Sequence, residues 1–354
     1  MRPIVSAELV NGVFGDPALY LDFRDERRAL LFDIGDIGAL LPKKILRLSD
    51  VFVSHAHMDH FAGLDRLVRV CLGRSAGLRL YGPPGFLARV EHKLAGYDWN
   101  LAERYPGDFT LLAHEVAPGG RVAMARFRSK ASFACECMPE AQVRDGVLLD
   151  EPRFRVRVTL LDHGIPCLGF ALEEKAHVNV WKNRLEELGL AVGPWLNELK
   201  RAIAENLPDD TAIRAWWRDR DGPHEHSMPL GELKARALSI VAGQKLCYIT
   251  DIRYHAENEA RAVALASGAD VLFIESVFLS SEAAHAERKF HLTAEQAGRI
   301  ARAARAKSVI AFHFSPRYEG REGELLAELE AARSSPRMSV SAERSTRVVP
   351  VVRR

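Results

Sequence analysis

Apolar and polar positions change pattern several times along the first third of the chain. The runs "SAELV", "ALYLDF" and "RRALLFDIG" are short, apolar and closed by glycine or charge, which predicts strands. "IGALLPKKILRL" predicts a short helix or turn, and "DVFVS" a buried strand. "FAGLDRLVRVCLG" and "GFLARVEHKLAGY" carry helical spacing on either side of the strand "LRLYG", which "GPPG" closes. From residue 108 to about 169 strands dominate, in "FTLLAHEV", "RVAMARFRS", "RFRVRVTLLDHG" and "CLGFALEE".

The pattern then turns helical and charged between about residues 175 and 242. "NVWKNRLEELG", "GPWLNELKRAIAEN" and "TAIRAWWRDRDG" predict a helical arm inserted between strands. Alternation returns with the strand "KLCYITDI", the helix "ENEARAVALASGA" and the strand "DVLFIESV". The helix "LTAEQAGRIARAARA", the strand "SVIAFHFS" and the helix "EGELLAELEAARS" complete it. Strand runs that end in β/α units predict an α/β domain over residues 1–354, its sheets covered outside by helices and the arm set within it. The sheet order stays open.

Composition narrows the setting. A chain of 354 residues can bury a large core, and a net charge of +2 neither requires nor excludes nucleic acid. Five scattered cysteines, with Cys135 and Cys137 as C-x-C and no matching downstream pair, argue against a disulfide framework or a zinc knuckle. No apolar run approaches membrane-spanning length, and the N-terminus has no apolar leader core. The expectation is a cytoplasmic protein with no membrane partner.

Candidate chemistry concentrates in "VFVSHAHMDHFAG", residues 51–63. On an extended segment His55 and His57 point the same way, while Asp59 and His60 follow where the chain turns into a helix and approach from another side. Imidazoles with a carboxylate are a donor set suited to zinc and similar divalent ions. Two clusters in one short loop suggest two metals, roughly 3.5–4 Å apart in hydrolytic sites. One loop cannot fill both coordination spheres. His163, Asp251 and His313 each end a predicted apolar strand, where open α/β architectures place their sites. The expected sets are His55, His57 and His163 for one metal, and Asp59, His60 and His313 for the other, with Asp251 as the bridge. These donors suit Zn²⁺, with Mn²⁺ or Fe²⁺ as alternatives. His92, His114, His177, His224, His226, His255 and His285 have no comparable context.

With these residues in place, the chain resembles the metallo-β-lactamase superfamily and, within it, the ribonuclease Z-like branch. "SHAHMDH" matches the superfamily's metal motif, and "LLFDIGD", with Asp33, the acidic strand end before it. "DHGIPCLGF", "FHLTAEQAGRIARAA" and "VIAFHFSPRY" are similar to later ribonuclease Z segments, and "LEELGLAVGPWLNELK" faintly to the Gly-Pro segment of its tRNA-gripping arm. The family's glycine-rich "GTG…P" loop is here "VNGVFGDPALY", its "GDTR" reads "TDIRY", and its "GLPGLL" helix start is "FAGLDRLV".

The resemblance implies an αβ/βα sandwich of two mixed sheets with helices outside. It implies a dinuclear phosphodiesterase that trims tRNA precursors at the 3′ side through a metal-bridging hydroxide, and a homodimer. Asp59 is then both ligand and acceptor of the water proton. His291, in "FHLTAE", is the candidate acid for the leaving 3′ oxygen; its position just before the cap Thr293, with Gln296 three residues on, also reads as a plain helix start. Glu275 could orient His291, or form a salt bridge elsewhere. Ser315 and Arg317 could hold phosphate, or belong to a solvated loop. The alternative reading is a related hydrolase of small phosphodiesters such as cyclic nucleotides, or of other esters, with the arm as lid or dimer contact.

For an RNA partner, Arg153, Arg155 and Arg157 share one strand face and Arg126, Arg128 and Lys130 add a second stripe. Lys182, Arg184, Lys200 and Arg201 lie in the arm. Such stripes contact phosphates without reading bases. Trp216 and Trp217 could stack on bases, or serve helix packing.

Overall fold

A computed structural model describes residues 3–335 apart from Asp25, Asn206 and Asp221. Eight strands form the first sheet in chain order: β1 (Val5–Leu9), β2 (Leu19–Phe23), β3 (Ala29–Phe32), β4 (Leu48–Phe52), β5 (Gly77–Gly82), β6 (Thr110–Val116), β7 (Arg121–Arg128) and β8 (Cys135–Gln142). β3 to β6 run parallel, with antiparallel pairs at both ends. The second sheet begins with β9 (Val147–Asp150), β10 (Phe154–Asp162) and β11 (Pro166–Glu174). The chain then leaves for β12 (His177–Val180), β13 (Ala212–Asp219), β14 (Gly222–Pro229) and β15 (Leu238–Val241). It returns as β16 (Lys245–Ile249), β17 (Val271–Glu275) and β18 (Ser308–Phe312), giving the order β18-β17-β16-β11-β10-β9.

β3 shows why so many strands read as unbroken apolar runs. Ala29 and Leu31 face the core beneath the helices Leu64–Cys71 and Phe86–Ala95. Leu30 and Phe32 face the core between the two sheets. A strand buried on both faces has no polar side to show. Phe32 stacks on Phe170 of the opposite sheet at 5.3 Å and meets Tyr248 at 5.8 Å. The helices Ala256–Ala266, Ala294–Ala303 and Glu322–Ser334 bury Leu265, Ile300 and Leu325 in a third core on the outside of the second sheet. The layers are helix, sheet, sheet, helix, as the resemblance implied.

The segment between β11 and β16 carries a core of its own, which includes Leu185, Trp195, Leu199, Ile213 and Leu233. The expectation of a helical arm is corrected here, because the segment also contains β12 to β15. "TAIRAWWRDRDG" is not a helix but β13, paired with β14 from Ala212↔Pro229 to Asp219↔Gly222. Its true period is two: Ile213 and Ala215 are buried while Arg214 and Trp216 are exposed. Trp217 packs against the arm's core and lies parallel to His224 and His226, with centroids 5.2 and 6.0 Å away. β8 escaped prediction because it is exposed along almost its whole length, which leaves no apolar alternation to read.

The arginines of the two strand stripes have carboxylate partners. Arg155 and Arg157 both pair with Glu173, and Arg153 pairs with Glu26. Arg126 and Arg128 pair with Glu136 and Asp108. Cross-strand and neighbouring carboxylates supply this neutralisation, and they lie too far along the chain to be seen as partners. Among the described residues no helix is long and apolar enough to cross a membrane.

Candidate metal centre

Strand ends from both sheets converge on one crevice. Ser54, His55 and His57 follow β4, and Asp59 and His60 lie in the short helix Met58–Phe61. Asp33 follows β3, His163 β10, Asp251 β16 and His313 β18. Asp33, Asp251 and His313 all hold left-handed backbone, with φ of 57°, 48° and 59°. Such a conformation costs non-glycine residues of order 1–3 kcal/mol each and persists where the surroundings over-determine it. Here it turns three side chains off their strands and into the crevice.

The donor atoms form two nests that share Asp251. In the first, His55 Nε2 lies 2.8 Å from His57 Nδ1 and 3.6 Å from Asp251 Oδ2. His163 Nε2 lies 3.4 Å from that same oxygen. In the second, His60 Nε2 lies 3.3 Å from His313 Nε2 and 3.5 Å from both Asp59 Oδ2 and Asp251 Oδ1. His313 Nε2 lies 3.5 Å from Asp59 Oδ2 and 3.2 Å from Asp251 Oδ1. Nitrogen donors placed tetrahedrally about a zinc ion at roughly 2.0–2.1 Å stand about 3.3 Å from one another. The observed spacings fit that polyhedron, so each nest could hold one divalent cation. The geometry brings together all seven residues expected from the sequence, in the expected two sets.

A second layer of contacts aims these donors. The Asp33 carboxylate accepts from the Ser54 N–H at 2.6 Å, the Ser54 hydroxyl at 2.8 Å, the Tyr248 hydroxyl at 2.8 Å and His60 Nδ1 at 2.9 Å. His60 therefore carries its proton on Nδ1 and presents the Nε2 lone pair to the nest. The Ser54 oxygen, having given its hydrogen to Asp33, accepts from His55 Nδ1 at 3.0 Å, and His163 Nδ1 donates to the Phe290 carbonyl at 2.8 Å. Both imidazoles are thereby turned to offer Nε2.

The electrostatics follow the carboxylates. Burial, reinforced by neighbouring His60, pushes His55 down to about 2, which keeps it neutral and able to ligate. Burial and then His163 lower His57. His313 is pushed up to about 10, because Asp251 outweighs its burial. His60 rises for a related reason, as Asp251 and Asp33 together outweigh burial. Burial tends to raise Asp251, but His313 and His60 hold it well below the usual carboxylate range. Carboxylates and imidazoles converging at these spacings form a donor set suited to divalent cations.

His291 stands at the edge of the nests, its ring centroid 5.0 Å from that of His163 and 5.6 Å from that of His313. Its Nδ1 donates to Glu275 Oε2 at 2.8 Å, while Glu275 Oε1 accepts from the N–H groups of Ile252 at 2.7 Å and Leu292 at 3.3 Å. The expected pairing of Glu275 with His291 is thus present, and the expected capping box of Thr293 and Gln296 is present beside it. Ser315 and Arg317 line a cavity of about 400 Å³ together with Asp59, His291 and His313. Arg317 is held by Glu282 and lies over the Phe278 ring at 5.4 Å. Ser54 and Tyr248 went unread in the sequence. Ser54 could have been suspected as the hydroxyl beside His55. Tyr248, inside an apolar strand, gave no signal.

Comparison with known proteins bears on this geometry. The beta-lactamase superfamily domain matches residues 36–176 and 221–314, leaving much of the arm outside the match. The chain is 32% identical to the ribonuclease Z of Deinococcus radiodurans, over 94% of this chain and 96% of that one. It is 30% identical to the ribonuclease Z of Anoxybacillus flavithermus, over 93% and 90%. In fold it is similar to the short form of human tRNase Z, with a TM-score of 0.51 and 19% identity over 88% of this chain and 93% of that one. With a donor set gathered from four separate segments, a superfamily domain that covers most of the chain and relatives that match nearly end to end, one assignment remains: the chain belongs to the beta-lactamase superfamily, in its ribonuclease Z family.

Proposed function

We propose that this protein is a dinuclear metal-dependent phosphodiesterase that processes the 3′ ends of tRNA precursors. The observation that carries the reading is the division of Asp251, whose two oxygens face two separate three-residue nests. His55, His57 and His163 would hold one ion and Asp59, His60 and His313 the other, with Asp251 available to both. Two divalent ions, when bound, supply Lewis acidity toward phosphoryl oxygens and an activated water at neutral pH. Asp59, half-exposed at the rim of the cavity, takes the proton of the attacking water. His291, held by Glu275, gives a proton to the departing 3′ oxygen. Ser315 and Arg317, which line the same cavity, position the phosphate. Zinc is the favoured occupant, given five histidine donors outside the shared carboxylate. A cytoplasmic homodimer belongs to the same reading, and light scattering of the purified protein tests the dimer.

The relatives named ribonuclease Z support RNA as the polymer. The decisive assay offers zinc- or manganese-loaded protein a 3′-extended tRNA precursor and maps the new end. Cleavage that leaves a tRNA 3′-hydroxyl, abolished by chelation and restored by Zn²⁺ or Mn²⁺, is the expected result. Turnover of bis(p-nitrophenyl) phosphate with the precursor left intact would instead identify a small-diester hydrolase.

A further inference from the structure

The loop between β1 and β2, where the family's glycine-rich pattern gives way to "VNGVFGDPALY", places a carboxylate in the reaction cavity that the chemistry above does not use. Asp16 lines that cavity with Asp59, His291 and His313, and among the described residues its carboxylate has no hydrogen-bond or ion-pair partner.

The loop is built to hold it there. Asn11 Nδ2 donates to the Asp16 carbonyl at 2.8 Å and to the Asp36 carbonyl at 2.7 Å. The Gly35 N–H donates to the Pro17 carbonyl at 3.1 Å, and the Phe314 N–H donates to the Val13 carbonyl at 2.9 Å. Phe14 meets Phe314 edge-on at 5.5 Å. The loop is thus tied to Gly35 and Asp36 on one side and to Phe314, next to His313, on the other. The seat is close: a Cβ on Gly35 would stand 2.7 Å from Asp16 Cβ and 2.0 Å from the Asp59 carbonyl oxygen.

A nucleic acid offers such a carboxylate few partners. Phosphate oxygens repel it, whereas a hydroxyl can donate to it. The hydroxyl nearest a scissile phosphodiester is the ribose 2′-OH, on the carbon adjacent to the one that bears the departing 3′ oxygen. His291, the donor to that oxygen, shares the cavity with Asp16. We propose that Asp16 accepts a hydrogen bond from the 2′-hydroxyl of the nucleotide on the 5′ side of the cut, which makes the site selective for RNA over DNA. An acidic residue on a ribose hydroxyl is a recurrent solution in dinucleotide sites. The inference rests on the ribonuclease reading of the site.

The test compares four kcat/KM values for metal-loaded protein: wild type and Asp16→Ala, each on a 3′-extended tRNA precursor and on the same precursor with one 2′-deoxynucleotide at that position. Wild type is expected to cleave the deoxy substrate roughly 10- to 100-fold less well, the loss typical of a hydrogen bond to a charged group. Asp16→Ala is expected to cleave both at the lower rate, so that the ribo/deoxy ratio falls to about one. Asp16→Asn, whose amide oxygen still accepts, keeps part of the ratio and covers the case in which the alanine variant fails to fold. An unchanged ratio in Asp16→Ala overturns the proposal, since a purely structural residue lowers both substrates alike. Faster cleavage of both substrates by Asp16→Ala also overturns it and marks a carboxylate that merely repels phosphate. Equal rates on the two substrates with wild type remove the role of Asp16 alone. Wild type that turns over bis(p-nitrophenyl) phosphate but leaves the ribo precursor intact removes the ribonuclease reading as well.

Discussion

Asp33 Oδ2 accepts the His60 Nδ1 proton at 2.9 Å, with both side chains fully buried. The pair lies between the sheets and the metal centre, and it fixes which His60 nitrogen faces the cation. Asp33→Asn removes the charge while keeping the size. It is expected to weaken metal binding at the Asp59–His60–His313 nest by about 10- to 100-fold, the usual effect of losing such an orienting carboxylate. The His55 nest should keep its ion. Metal content after graded chelator dialysis reads both sites.

Asp251 serves both nests, so its loss should differ in kind from the loss of a terminal donor. Asp251→Ala is expected to release both ions and to lower kcat by roughly 10³-fold or more, whereas His313→Ala releases one. Elemental analysis of the purified variants separates the cases. One ion retained by Asp251→Ala would show that the carboxylate does not bridge.

The His291–Glu275 pair predicts a pH dependence. Burial tends to lower His291, but Glu275 raises it above the ordinary histidine value. If the protonated imidazole is the working form, kcat falls as pH rises through that raised pKa. Glu275→Gln removes the raising charge, so the descending limb should move to lower pH. His291→Ala should cost about 10²- to 10⁴-fold on RNA. The loss should be much smaller on bis(p-nitrophenyl) phosphate, whose leaving group departs without a proton. Equal losses on the two substrates would remove His291 as the acid.

The root of the arm is narrow. The Glu174 N–H donates to the Gln244 carbonyl at 2.8 Å, and Glu173 pairs with Lys245 across β11 and β16. A short glycine-serine linker in place of residues 175–242 therefore joins ends that already touch, and it removes a core that the main sandwich does not share. Such a deletion should spare turnover of bis(p-nitrophenyl) phosphate and abolish precursor cleavage if the arm grips RNA. Precursor cleavage at the full rate would assign the arm another task.

Local chemistry was legible from the residues alone. "SHAHMDH" announces its ligands because metal coordination needs imidazole and carboxylate at spacings that a strand end and a helix start impose locally, and His163, Asp251 and His313 could be found because each closes an apolar run. The β/α order was legible for the same reason: strands buried on both faces and helices buried on one leave distinct periods. What the tertiary structure alone decided is who stands opposite whom. Tyr248 reaches Asp33 from 215 residues away, and Glu173 of β11 pairs with Arg155 and Arg157 of β10. A hairpin replaced the helix expected around Trp216 because its buried partners lie across the arm, not along one helical face. The left-handed turns at Asp33, Asp251 and His313 had no glycine to signal them. They are set by the packing of two sheets that bring distant strand ends to one crevice, an outcome no local pattern encodes.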